Sequence, residues 1–98
     1  MLNKGTFVTK HYVRVVIENK PYINDPEGET ILKDLISKGG YTSIKSVRTA
    51  KMLSMEVEAK DSNEAETIVR KLCDELRIYN PVVSNCKIEV LDTLHVKG

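Results

Sequence analysis

Between Asp61 and Asn80 the apolar residues Ala65, Ile68, Val69, Leu72, Cys73 and Leu76 recur three and four positions apart. That spacing places them on one side of an α-helix and leaves the opposite side charged. Asp61 followed by Glu64 has the spacing of a reciprocal N-terminal cap, with Ser62 as an alternative cap, and Asn80-Pro81 is the expected stop. A helix with one greasy side needs one layer to lie on. The rest of the chain must supply it.

Three segments have the matching period of two. In "YVRVVIE" Val13, Val15 and Ile17 share one face, with Arg14 and Glu18 on the other. Leu53, Met55, Val57 and Ala59 alternate with Ser54, Glu56, Glu58 and Lys60, and Cys86, Ile88 and Val90 alternate with Lys87 and Glu89. Such strands bury one face and wet the other. Ile44 to Arg48 reads as a further short strand, so that Thr49-Ala50-Lys51 is either a tight turn or a bend in one long strand.

Between the first two strands lies "PYINDPEG", Pro21 to Gly28. A phosphate loop would need several glycines to present consecutive backbone N–H groups, and this stretch has only Gly28. It suits a helix start instead. Asp25 can cap free N–H groups, Pro26 fits the first helical position, and Glu27 and Glu29 favour the positive end of the dipole. Ile31, Leu32, Leu35 and Ile36 then form a narrow stripe, ended by Gly39-Gly40.

These elements predict an α+β two-layer sandwich: two helices on one face of a mainly antiparallel sheet, in β-α-β(β)-α-β, ferredoxin-like order. At 98 residues it is one domain. It is divided into an N-terminal arm (1–11), the α+β domain (12–91) and a C-terminal tail (92–98). The outer sheet face carries Arg14, Ser54, Glu56, Glu58, Lys87 and Glu89 with Val16 and Met52, a mixed surface fit to meet another protein.

Chemistry is harder to find. Fifteen Lys and Arg against fourteen Asp and Glu leave a formal charge of +1, which gives no electrostatic case for nucleic acid or membrane. The candidate central strand Leu53–Ala59 has no aromatic on which a base could stack. Cys73 and Cys86 form no CxxC, and with His11 and His95 they match no zinc spacing. A single disulfide between them is one reading; a reduced cytosolic compartment is the favoured one. The first residues lack the apolar core of a signal peptide, and no run is long enough to span a bilayer, so a cytoplasmic protein is expected. Arg48 and Lys51 are the one local feature with a functional flavour, against the plainer reading of charges that guard a sheet edge.

In order and spacing, "KPYINDPEG", "SVRTAKMLSMEVEA", "DSNEAETIVRKLCDEL" and "NPVV" resemble the PurS family, the small subunit of multi-subunit phosphoribosylformylglycinamidine (FGAM) synthase. The likeness runs from Tyr12 to Leu91. The family's helix start maps on Asp25, Pro26 and Gly28, its valine-arginine-x-glycine-lysine stretch on Val47, Arg48 and Lys51, and its asparagine-proline on Asn80 and Pro81. Ala50 replaces the family's usual glycine, Glu27 a common glutamine and Ser54 a frequent acid, and the N-terminal arm is extra.

The resemblance implies a subunit of a ligase complex with no catalytic, cofactor-binding or metal-binding residues of its own. ATP, Mg and glutamine would be used by a synthetase subunit, PurL, and a glutaminase subunit, PurQ. The chain would form a homodimer or tetramer through its sheet and hold the two enzymes together, with Arg48, Lys51 and Asn80 as candidate contacts. A ferredoxin-like module that binds a small regulatory molecule is the alternative.

Overall fold

The computed structural model describes residues 8–91. Three strands, β1 (Thr9–Asn19), β2 (Ala50–Ala59) and β3 (Ser84–Leu91), form one antiparallel sheet in the order β2-β1-β3. The helical elements are α1 (Pro26–Thr30), which continues as a π-helical stretch over Ile31–Ser37, and α2 (Ser62–Glu75).

The alternation sets the register. Val13 stands opposite Met55 on one side and Val90 on the other, and Val15 stands between Leu53 and Ile88. The middle of one sheet face is thereby apolar, with Thr9, His11, Lys51 and Ser84 at its two ends. α2 covers it with Ala65, Val69 and Cys73, each no more than 1% exposed. Val13, Val15 and Val69 each contribute on the order of 1.5–3 kcal/mol by leaving water. The buried row is narrower than the spacing suggested, because Ile68 and Leu76 lie at the rim, 38% and 67% exposed. A helix seated on so narrow a sheet buries only the i, i+4 row that faces it.

Both helix starts follow the expected chemistry. Asp25 accepts the Gly28 N–H at 3.0 Å, with Pro26 just inside the helix. Asp61 accepts the Glu64 N–H at 2.8 Å, and Glu64 reaches back to the Lys60 N–H at 2.6 Å. Gly40, at φ +97°, supplies the left-handed turn after the π-helical stretch.

Four details differ from expectation. The segment Ile44–Arg48 is irregular, so the middle of the chain contributes one strand and no hairpin. Polar groups at its end are engaged elsewhere: Arg48 reaches the loop after β1, and the N–H of the following Thr49 donates to Asp25. Second, α1 and its π-helical continuation pack against none of the strands, and Leu35 is 66% exposed. The loops on either side of α1 hold it at one end of the sheet, away from the apolar face. Third, α2 stops at Glu75, well before Asn80-Pro81. Arg77 adopts φ +53° and lets the Ile78 N–H close on the Cys73 carbonyl at 3.1 Å. Finally, β1 begins at Thr9, inside the segment read as an arm. Residues 1–7 of that arm and the tail 92–98, with His95, lie outside the described residues.

Candidate partner-docking surface

β1 ends where β2 and β3 begin, since Glu18 pairs with Ala50 and Asn19 with Ser84. Three connections therefore converge at one end of the sheet, and they and the first residues of β2 carry the candidate contact and motif residues.

Asp25 is the centre of the cluster. Only 6% exposed, it caps Gly28 and also accepts the Thr49 hydroxyl at 3.0 Å and the Thr49 N–H. The Thr49 and Gly28 N–H groups hold its carboxyl below the ordinary carboxylate range, against the opposing effect of burial. Gly28 is buried at the same point, where a Cβ would stand 2.2 Å from the Val47 carbonyl oxygen. No residue larger than glycine fits there without a backbone shift.

Arg48 fastens the next layer. Its guanidinium donates to the carbonyls of Ile23 at 2.9 Å, Lys20 at 3.1 Å and Asn19 at 3.3 Å. The Lys20 N–H in turn donates to the Val83 carbonyl at 2.9 Å. Asn80 builds the third turn, its side-chain oxygen accepting from the Val82 N–H and its carbonyl from Val83 and Ser84. Pro81, inside this turn, is exposed. Lys51 is exposed at the start of β2, beside an open depression of about 820 Å³ that it shares with Asn19, Glu27, Thr49 and Ser84.

The structure thus brings Asp25, Pro26, Gly28, Arg48, Lys51, Asn80 and Pro81 to one rim and divides their work. Asp25, Gly28, Arg48 and Asn80 shape the loops, and Lys51 offers a charge outward. Sequence reasoning missed Thr49 and Asn19, the partners of Asp25 and Arg48. Nothing in local spacing marks a hydrogen bond between residues more than twenty positions apart.

The outer face of the sheet is the second exposed surface. Lys10 pairs with Glu56 at 3.0 Å, Lys87 with Glu18 at 3.7 Å and Arg14 with Glu89 at 4.0 Å. The Glu56 carboxylate holds the Lys10 ammonium above its ordinary pKa. Tyr12, Arg14, Ser54, Glu56 and Leu91 border a shallow depression of about 370 Å³, and Met52 stands 53% exposed on the same face. The buried Arg14 Nε has no acceptor among the described residues. Cross-strand ion pairs of this exposed kind contribute little stability. Paired charges around apolar side chains are what a protein-facing sheet surface presents.

Among the described residues, no three His, Cys, Asp or Glu side chains group as a metal site would require, and no helix is long and apolar enough to cross a membrane.

Comparison with known proteins agrees with this arrangement. The family model described as PurS, phosphoribosylformylglycinamidine (FGAM) synthase, matches residues 12–92. The chain is 38% identical over 74 residues to phosphoribosylformylglycinamidine synthase subunit PurS of Archaeoglobus fulgidus, covering 76% of this chain and 90% of that one. The purS subunit of Thermotoga maritima superposes with a TM-score of 0.78 at 31% identity, covering 89% of this chain and 98% of the other. A chain of PurLQS from Thermotoga maritima superposes with a TM-score of 0.75 at 31% identity, covering 85% and 99%.

Proposed function

The chain belongs to the PurS family, and on that premise we propose that it is the non-catalytic small subunit of a cytoplasmic FGAM synthase in purine biosynthesis. The complex converts formylglycinamide ribonucleotide to formylglycinamidine ribonucleotide at the expense of ATP and glutamine. PurL binds ATP and Mg and activates the amide oxygen by phosphorylation, and PurQ releases ammonia from glutamine. The chain bridges the two enzymes, so that ammonia passes without escaping to water.

The observation that carries this reading is the likeness, over nearly its full length, to a chain of a PurLQS assembly. The two exposed surfaces fit the role. The mixed outer sheet face joins a second copy, while the rim of ordered turns with Lys51 addresses the enzymes. Rigid turns suit docking, because little chain entropy is lost when they bind.

Mixing the chain with its PurL and PurQ counterparts, glutamine and ADP, and following light scattering on a sizing column, tests the proposal. A three-component peak that depends on this chain is expected, as is glutamine-dependent synthase activity that needs it. Full activity without the chain, or no co-elution under any ligand condition, would overturn it.

A further inference from the structure

Cys73 and Cys86 are the chain's two cysteines, thirteen positions apart, and both are free thiols. They occupy facing elements: Cys73 lies at the buried row of α2, and Cys86 on the inward face of β3, opposite Ile17. Both belong to the same core cluster, with Cys86 packed against the buried row that includes Cys73. They differ in access, since Cys73 is 1% exposed whereas Cys86 is only half-buried. Neither has a role in the docking surface described above.

We infer that Cys73 and Cys86 form a reversible dithiol–disulfide couple that ties α2 to β3. The oxidant class is a hydroperoxide. The Cys86 thiolate attacks one peroxide oxygen, the O–O bond breaks, and with hydrogen peroxide one water leaves and Cys86 becomes a sulfenic acid. The Cys73 sulfur then attacks the Cys86 sulfur; the S–O bond breaks, the S–S bond forms, and the second oxygen departs as water. The two thiols lose two electrons and the peroxide gains two, while the thiol protons end in the two waters. A dithiol reductant reverses the change by exchange. Access sets the order of attack: half-buried Cys86 reacts first, and buried Cys73, its thiol pushed up to about 11 by burial and the neighbouring Cys86, resolves.

The bond would bracket the connection that holds Arg77, Tyr79, Asn80 and Pro81, and so restrict the unfolded chain. The test is to treat the full chain with hydrogen peroxide, then count free thiols, weigh the intact chain and map its peptides. Both thiols should disappear together, with loss of two hydrogens in mass and a Cys73–Cys86 cross-link. The Tm should rise on the order of 10 °C and return with dithiothreitol. Oxygen added to Cys86 with Cys73 still a free thiol would overturn the inference, as would cross-linking between chains or survival of both thiols. Cys73→Ala should convert the product to over-oxidised Cys86, and the wild-type peptide map decides the matter if that variant fails to fold.

Discussion

The buried carboxylate of Asp25 accepts both the backbone N–H and the hydroxyl of Thr49, twenty-four positions further on, while it caps the first turn of α1. One acid thus joins a helix start to the segment that leads into β2. The turn beside β1 and the approach to Lys51 are set by the same group.

Stability should therefore respond to acid through Asp25. Its carboxyl is held below the ordinary value in the fold, so its contribution is present above about pH 4 and is lost as the pH falls through the folded-state value. Thermal unfolding from about pH 6 to pH 2.5 should show a steeper loss in the wild type than in Asp25→Asn. The variant should unfold on the order of 5 °C lower at neutral pH, because an amide has one accepting oxygen where the carboxylate uses two. Parallel curves would mean that other carboxylates govern the acid limb.

Arg48 and Lys51 separate by the same geometry. Arg48 is committed to three carbonyls within the chain, whereas Lys51 faces outward. Charge reversal at Arg48 therefore disturbs the loops as well as any contact it makes. Lys51→Glu should leave Tm unchanged and weaken co-elution with the synthetase and glutaminase roughly tenfold or more, the scale of a lost interfacial charge contact. Arg48→Glu should lower Tm by several degrees as well. Sizing runs paired with thermal melts check both; equal binding by Lys51→Glu would remove that residue from the interface.

What could be read in advance follows from the range of the forces involved. Strand faces, helix caps and the α2 stripe depend on neighbours two to four positions away, so Val13, Val15, Asp25 and Asp61 announce their roles locally. The clasp of Asp25 with Thr49 and the reach of Arg48 to Asn19 depend on the chain's path, and no periodicity encodes them. The helix end at Arg77 was hidden for another reason. A left-handed turn is normally marked by glycine or asparagine, and here an arginine adopts it.

Gly28 tests close approach rather than backbone freedom, for a Cβ there meets the Val47 carbonyl oxygen at 2.2 Å. Gly28→Ala must push the 41–49 segment away from α1 and should cost about 1–3 kcal/mol in urea unfolding, despite alanine's better helix propensity. Gly39→Ala is the control, with its nearest neighbour at 3.0 Å and an exposed site, and it should cost less. A stabilised Gly28→Ala would show that the 41–49 segment yields freely.

The position of α1 away from the sheet has its own consequence for stability. If α2 alone closes the core, apolar residues of equal appearance in the two helices must differ sharply in weight. Val69 is fully buried against the sheet, and its truncation removes two methyl groups from a site that cannot collapse. Val69→Ala should therefore cost about 2 kcal/mol. Leu35, in the stripe that sequence pattern placed in the core, is 66% exposed. In the isolated chain Leu35→Ala should change stability by no more than about 0.5 kcal/mol, the range of ordinary surface substitutions. Urea denaturation of the two variants side by side measures the contrast. Comparable losses would mean that the π-helical stretch closes onto the strands in solution.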